Sequence, residues 1–309
     1  AHGLGAVMGS KKLKAFVAWG TKRPRLHDKL SLIDAGLRWR KALQPRTNSA
    51  AHKKKSVGHG ESWGAITKLN WRSTIITDEA RGMDQNRVVL RPCFQCPRMC
   101  PWDVEIGEGR HMGKIGHFNA GSEWQDTFYN LGFKGNDVLY LSERINDLGI
   151  ECSHYACGAG LAFEAWEKGV LGPDKTDGLK LEWGDLEAVE TLLERCARRQ
   201  TWLGNILADG PKELAEELGG EAKQWVVHTK GGTPAQHEWR PLLSQMLREL
   251  VASGGMKPQG AGGAEPPADL QYREKWGPLD PNQPDGWTSS HLITEKVRHA
   301  CGPMGGCWF

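Results

Sequence analysis

Two stretches near the beginning of the chain have regular patterns of apolar residues. Leu13 to Trp19 is a short apolar run with basic neighbours, which predicts a β-strand. Residues 26–43 then carry Leu30, Ile33 and Leu37 at spacings of three and four, which predicts an amphipathic packing helix that ends at Pro45. The polar, basic residues 46–62 predict a solvated loop.

From about residue 120 the pattern becomes helical. Asp185 can cap a helix whose apolar face is Leu186, Val189, Leu192, Leu193 and Cys196, so Cys196 is predicted to be a core thiol. Further helices are predicted at Pro211 to Leu218, with the proline in the first turn, and at Leu242 to Val251. Residues 253–286 are rich in Gly and Pro and predict a long surface connection. The fold is therefore predicted to be mainly α.

Composition excludes several classes of protein. The 309 residues carry 40 Lys and Arg against 37 Asp and Glu, a net charge of +3, so neither nucleic acid nor an anionic membrane is expected as a partner. No apolar run is long enough to span a membrane and no secretory leader is visible, so we predict no membrane span and a cytoplasmic protein. Eight cysteines are too dilute for a disulfide scaffold, yet numerous for packing alone.

Three of these cysteines form a compact motif. Cys93, Cys96 and Cys100 give the spacing C-x2-C-x3-C, which can direct three thiols at one metal centre. Structural thiols that cluster by chance are the less favoured alternative. No second short ligand pair accompanies the motif, which favours a 4Fe-4S cluster over zinc. The fourth ligand must come from one of the remaining cysteines: Cys152, Cys157, Cys196, Cys301 or Cys307.

Six motifs occur in an order that is similar to one known family. The opening GLGAVMGSKKLKAF is followed by the cysteine motif, by NDLGIE at 146–151, by AFEAWEKGVL at 162–171, by WGD at 183–185 leading to LADG at 207–210, and by GPMGGCWF at 302–309. In this order they resemble the tungsten-containing aldehyde ferredoxin oxidoreductase family. The chain resembles the central and C-terminal part of such an enzyme.

The resemblance implies a cofactor set, a reaction class and a domain division. Tungsten, or molybdenum, would be held by two pyranopterins, and a 4Fe-4S cluster would be bound by Cys93, Cys96, Cys100 and Cys307. Electrons would pass to ferredoxin or to an iron-sulfur subunit, and the substrate would be an aldehyde or oxo compound or an acyl-thioester. Residues 1–22 would end a β-rich pterin-binding domain and leave a short β remnant. Residues 23–252 would form a helical domain, and 253–309 a linker and the start of the last helical domain.

The resemblance also implies which residues contact the pterins. Asn146, Glu151 and Gly302 stand where the family motifs carry aspartate. The implied pterin-contacting set is Gly3, Gly5, Asn146, Ile150, Glu151, Cys152, Gly302 and Gly306.

Two catalytic residues follow from weaker motif matches. Glu123 lies in SEWQD, which resembles the family's PEYET, and is the candidate active-site carboxylate; alternatively it is only a carboxylate at a helix N-terminus. His237 lies in KGGTPAQHE, which resembles KGLExPAHD with a shift of one residue, so Gln236 competes for the same place. His111 and His117 are candidates for a proton relay or for ordinary surface roles.

Two further cysteines leave the branch and the function class open. Cys152 or Cys157 would bind the metal directly if the chain resembles the tungsten-dependent benzoyl-coenzyme A reductases, and otherwise both are buried small residues of a helix hairpin. The alternative function is an iron-sulfur electron-transfer subunit without its own substrate site.

Overall fold

The computed structural model describes residues 4–22, 25–47, 66–75, 85–91, 102–118, 123–229 and 231–234. These residues form ten helices and five short strands, so the prediction of a mainly α fold is confirmed. Among the described helices, none combines the length and the apolar character needed to cross a bilayer. The division at residues 22 and 252 stays a prediction, and the stretches 48–62, 242–251 and 253–286 lie outside the described residues.

The N-terminal region consists of α1 (Leu4–Ser10) and α2 (Lys29–Thr47). The predicted strand at 13–19 is wrong, and with it the β remnant, since residues 13–20 have no regular structure and no strand lies within 4–22. Its apolar side chains Phe16, Val17 and Trp19 are 78, 81 and 89% exposed, so no strand or packing surface among the described residues supports an extended conformation there.

Helix α2 is present, but two predicted details of it are wrong. It begins after Asp28, whose carboxylate accepts hydrogen bonds from the backbone N–H groups of Leu30 and Ser31 at 2.9 and 3.1 Å. It continues past Pro45 to Thr47, because a proline so close to the end removes only one helical hydrogen bond. Leu30 and Leu37 are 78 and 60% exposed, so this apolar face packs on no described element.

The five strands form two antiparallel sheets that the sequence patterns did not predict. β1 (Ile66–Lys68) pairs with β2 (Ser73–Ile75) in a hairpin. β3 (Arg87–Leu90), β4 (Trp102–Glu105) and β5 (Ile115–Phe118) form a three-stranded meander. Strands of three or four residues are too short for a period of two to stand out from chance.

The β1–β2 turn is unusual because Leu69, Asn70 and Trp71 all have positive φ, at 54, 55 and 62°. Such backbone is strained for residues with a Cβ and needs tertiary support. The side-chain amide of Asn70 supplies it, donating to Glu164 Oε2 at 2.7 Å and to the carbonyl oxygen of Trp225 at 2.9 Å. Asn70 is 4% exposed, so these contacts fasten the hairpin to the helical body.

The helical body holds the core. Its helices are α3 (Glu123–Asn130), α4 (Asn136–Asp147), α5 (Cys152–Glu167), α6 (Pro173–Thr176), α7 (Leu186–Ala197), α8 (Thr201–Asp209), α9 (Pro211–Leu218) and α10 (Ala222–Trp225). Helix α5 is central and buried along nearly its whole length. Its Gly160 is required by close packing, since a Cβ there would lie 2.9 Å from Asn70 Oδ1 and 3.1 Å from Asn130 Nδ2.

Two predicted helices of this body are confirmed. Asp185 caps α7 by accepting from the backbone N–H of Ala188 at 3.1 Å. Along α7 the predicted face is buried at Val189, Leu192 and Leu193 and partly buried at Leu186, and Cys196 is a core thiol at 4% exposure. Helix α9 begins at Pro211 and ends at Leu218 as predicted.

Candidate active site

The NDLGIE motif forms the junction between α4 and α5, where the chain reverses direction. Helix α4 ends in a Schellman motif: Ile150 N–H bonds to the Ile145 carbonyl oxygen at 3.1 Å, and Gly149 N–H to that of Asn146 at 3.0 Å. Gly149 has φ of 69°, the left-handed conformation that this motif requires and glycine adopts without strain. Two residues later, Glu151 caps α5. Asn146 is exposed and Ile150 packs partly buried against the core.

Three chemically active side chains meet at the first turn of α5. Glu151 Oε2 accepts from the backbone N–H of His154 at 2.7 Å and lies 3.3 Å from His154 Nδ1. Its other oxygen, Oε1, accepts a weak hydrogen bond from Cys152 Sγ at 3.9 Å. The backbone carbonyl of Cys152 is held by the Thr127 hydroxyl of α3 at 3.1 Å. One carboxylate thus contacts both the thiol and the imidazole.

The two acidic groups of this turn, the Glu151 carboxyl and the Cys152 thiol, have pKa values shifted in opposite directions. Burial raises the pKa of Glu151, and hydrogen bonds from the His154 ring and backbone are the largest causes that lower it. The resulting pKa lies below its ordinary value, so the carboxylate is ionised. Burial raises the pKa of the Cys152 thiol to about 12, and the adjacent Glu151 carboxylate adds to this effect. Cys152 is therefore a neutral thiol in the structure, which a positive charge would have to convert into a thiolate.

A second segment of the chain reaches the same turn. The Thr233 hydroxyl lies 3.3 Å from His154 Nδ1, and Thr233 is only 6% exposed. Thr233 belongs to the start of the KGGTPAQHE motif, so this motif and NDLGIE, which sequence alone could not relate in space, converge at the first turn of α5. Gly210, between α8 and α9, borders the same place, since a Cβ there would lie 3.5 Å from His154 Cδ2.

The cysteine motif occupies the connection between β3 and β4. The last residue pair of these strands is Leu90 with Trp102, and residues 92–101, which contain Cys93, Cys96 and Cys100, lie outside the described residues. Adjacent antiparallel strands hold the two ends of this connection about 5 Å apart. The binding of a 4Fe-4S cluster by these three cysteines stays a prediction from their spacing.

Charged side chains lie on the sheet beside that loop. Asp103 Oδ2 pairs with Arg91 Nε at 2.5 Å, and Asp103 Oδ1 lies 2.8 Å from His117 Nδ1. The hydrogen bond from His117 is the largest cause that lowers the pKa of Asp103, and the same bond raises the pKa of His117. His117 is exposed, whereas His111 is buried and stacked on Tyr140 with ring centroids 3.9 Å apart. Within the described residues, no contact connects either histidine to the first turn of α5.

Comparison with known proteins identifies the family. The family model described as aldehyde ferredoxin oxidoreductase, domains 2 and 3, matches residues 48–297. The chain belongs to the aldehyde ferredoxin oxidoreductase family. It is 28% identical over 259 residues to the aliphatic sulfonate oxidoreductase WOR-like subunit of Pyrococcus furiosus, covering 78% of this chain and 40% of that protein. It is 26% identical over 245 residues to the tungsten-containing aldehyde ferredoxin oxidoreductase of Thermococcus kodakarensis, covering 70% of this chain and 37% of that protein.

The fold of this family member is also found in a solved structure. The active site complex BamBC of benzoyl coenzyme A reductase, in complex with 1,5 dienoyl-CoA, superposes with a TM-score of 0.63 at 23% identity. The match covers 82% of this chain and 41% of that one. This likeness shows the fold of the helical domains. The chain spans about two fifths of the length of the curated relatives it matches.

For this family member, the structure tests the surroundings of only some predicted site residues. Glu123 is the first residue of α3, as its alternative interpretation requires, while the position of its side chain is not described. Gly5 lies in α1 with nothing within 4 Å of where a Cβ would be. Cys157 is fully buried in α5. The predicted residues Gly3, Cys93, Cys96, Cys100, His237, Gly302, Gly306 and Cys307 lie outside the described residues.

Sequence reasoning missed two residues of this site, His154 and Thr233. A weak signal for His154 was available, since it lies three residues after a helix-capping Glu151 and thus returns to the cap. No such signal marks Thr233, because its contact with His154 spans 79 residues of sequence.

Proposed function

We propose that this chain is the helical part of a tungsten bis-pyranopterin oxidoreductase that carries one 4Fe-4S cluster. The observation that carries the proposal is the convergence of the NDLGIE and KGGTPAQHE motifs at the first turn of α5, in a chain of this family. The names of two relatives, one tungsten-containing and both oxidoreductases, support the metal and the reaction class.

The residues present fit the proposed metal. Cys152 offers a sulfur at the start of a 16-residue helix, where the positive end of the helix dipole favours a thiolate. Its raised pKa means that the thiol is poorly ionised until a metal binds, as is expected of a ligand that loses its proton on coordination. Soft sulfur is the donor type that suits a metal already held by dithiolenes. When bound, that cofactor would supply two-electron chemistry: oxidation of an aldehyde to an acid, or reduction of an aromatic acyl-thioester at its ring.

The remaining roles follow the resemblance. Cys93, Cys96, Cys100 and Cys307 would hold the cluster, which passes single electrons to ferredoxin or to an iron-sulfur subunit. Glu123 and His237 would hold or move a proton beside the metal. The proposed pterin contacts are Gly3, Gly5, Asn146, Ile150, Glu151, Cys152, Gly302 and Gly306. Glu151 would contact a pterin through the same carboxylate that accepts hydrogen bonds from His154 and Cys152.

Elemental analysis of the full-length protein, purified without oxygen, tests the cofactor set. We expect tungsten or molybdenum, extractable pterin and four iron atoms per chain. Iron without tungsten, molybdenum or pterin would instead support an electron-transfer subunit that lacks its own substrate site. One zinc, with no visible cluster absorbance, would overturn both assignments.

A substrate panel tests the reaction class. With an aldehyde as substrate, we expect the enzyme to reduce viologen. An aromatic acyl-thioester is assayed in the opposite direction, as reduction of the substrate by reduced viologen. Activity with the acyl-thioester alone would assign the chain to the acyl-thioester reductases rather than the aldehyde oxidoreductases. An alkane sulfonate belongs in the panel because one relative is named for that substrate. Inactivity towards all three substrates, in protein that contains the metal and the cluster, would contradict the proposed reaction class.

A further inference from the structure

Three separate parts of the chain meet at His154. Its own helix α5 contributes Glu151, the α8–α9 junction contributes Gly210, and the segment after α10 contributes Thr233. The imidazole is 42% exposed, so its ring is not needed to fill the core. Its role must therefore come from the hydrogen bonds it makes.

The Glu151 carboxylate determines whether His154 Nδ1 is a hydrogen-bond donor or an acceptor. Glu151 Oε2 and Thr233 Oγ1 both lie 3.3 Å from His154 Nδ1. An ionised carboxylate can only accept, so Nδ1 must carry the proton and share it between the two oxygens in a three-centre bond. Thr233 then accepts from a nitrogen that Glu151 has already oriented.

The segment that ends at Thr233 is a closed turn. Thr229 and Gly232 exchange two backbone hydrogen bonds, at 2.8 and 3.0 Å. Gly231 has φ of 87°, which this tight reversal requires and which glycine adopts without strain. We name residues 229–233 the glycine turn. Because the glycine turn is closed on itself, an anchor at Thr233 helps to hold the whole turn against α5.

Anchoring the glycine turn also limits where the following residues can lie. His237 comes three residues after Pro234, and three residues of chain span at most about 11 Å in any conformation. Cys152 lies on the same first turn of α5 as His154. An anchor between His154 and Thr233 therefore places an upper limit on the distance between the proposed metal-facing sulfur and the proposed proton-transfer histidine.

We propose that His154 is a positioning residue, which Glu151 orients and which holds the glycine turn, from which the chain continues to His237, against the first turn of α5. The inference rests on the proposed function for the roles of Cys152 and His237. The contact itself is independent of that function.

Hydrogen exchange measured by mass spectrometry on the full-length protein tests the contact without any cofactor. His154→Leu removes the donor, and Thr233→Val removes the acceptor from the opposite side with little change of volume. Each should accelerate exchange in the glycine turn about tenfold, which is the opening expected on loss of one anchoring bond. His154→Asn, which keeps a donor near the Nδ1 position, and Thr233→Ser should stay within about twofold of the wild type. Exchange in α7 is the internal control.

Kinetics of the metal-loaded enzyme test the positioning role. His154→Leu should lower kcat about tenfold with KM and tungsten content within about twofold, because geometry rather than binding is lost. His154→Asn should restore most of the rate. Unchanged exchange at the glycine turn in His154→Leu would overturn the proposal, and so would faster exchange with an unchanged kcat. Protein that contains neither tungsten nor molybdenum would overturn the proposed function, while the exchange data would still decide the contact.

Discussion

Helices α2 and α7 have similar apolar spacing but different surroundings. In α7, Val189 and Leu192 are 0 and 1% exposed, whereas in α2 Leu30 and Leu37 remain 78 and 60% exposed. Both helices begin after a capping aspartate, so residues close in sequence mark the start of each one. Apolar spacing therefore specifies a helix, while the burial of its apolar face depends on whether another element packs against that face. Helix α2 also lies before residue 48, where the match to domains 2 and 3 begins.

The largest expected difference comes from matched leucine truncations. Leu161→Ala in α5 removes a side chain that is fully buried, so we expect a loss of about 3 to 5 kcal/mol in the free energy of unfolding. Leu30→Ala in α2 should change it by less than about 0.5 kcal/mol. Urea denaturation followed by circular dichroism measures both. A comparable loss for Leu30→Ala would show that α2 is packed in solution.

The next effect concerns Asn70, which fastens the β1–β2 hairpin to the helical body. Asn70→Ala removes two buried hydrogen bonds and puts a Cβ without side-chain compensation at φ of 55°, so we expect a loss of about 3 kcal/mol. Asn70→Gly loses the same bonds but relieves the backbone, and should lose about 1 kcal/mol less. Equal losses in the urea denaturation of the two variants would contradict the assigned strain.

The aspartate caps provide a second comparison of α2 with α7, in which the expected changes in stability are smaller. Asp185→Ala removes the cap of α7 and should lower the free energy of unfolding by about 1 kcal/mol. Asp28→Ala should fray α2 and reduce helical circular dichroism, with a change of less than about 0.5 kcal/mol in global stability. If both variants shift the urea midpoint equally, α2 unfolds together with the helical body.

The smallest effects are those of pH on two histidines. Burial lowers the pKa of His111 below its ordinary 6.5, and the hydrogen bond to Asp103 raises the pKa of His117 above 6.5. The stability that His111 contributes is therefore present above pH 6.5 and is lost as the pH falls through its lowered pKa. The contribution of His117 is present below pH 6.5 and is lost as the pH rises through its raised pKa.

Imidazole NMR titration measures both histidines in one experiment. His111→Gln and His117→Gln assign the two signals and should each remove one limb of the pH dependence of stability. Two midpoints at 6.5 would contradict both assignments.

How much of the fold the sequence predicted depended on the length of each pattern. Helices α7 and α9 were predicted nearly to the residue, because a cap or a proline marks the start and the apolar period runs for at least two turns. The strand at 13–19 was wrong, because an apolar run acquires a conformation only from what it packs against. The five real strands were missed, since three or four residues carry too little pattern.

The candidate site likewise combines residues that local motifs predicted with a long-range contact that they did not. NDLGIE and the cysteine motif were recognisable because their chemistry and turn geometry are local. Glu151 as a helix cap and Gly149 as a left-handed residue follow from the same few residues. The pairing of His154 with Thr233 was not predictable, because the two residues lie 79 positions apart in sequence and no local pattern relates them.

The amino-acid sequence alone was sufficient to predict the mainly helical class, the Asp185 cap, the family resemblance and the thiols that could hold a cluster. All of these depend on neighbours within a few residues, where backbone geometry transmits the information directly. Only the tertiary structure decided which apolar faces are buried, how Asn70 stabilises a strained turn, and that the glycine turn meets the first turn of α5. Those features depend on contacts between distant segments, which exist only once the core has brought them together.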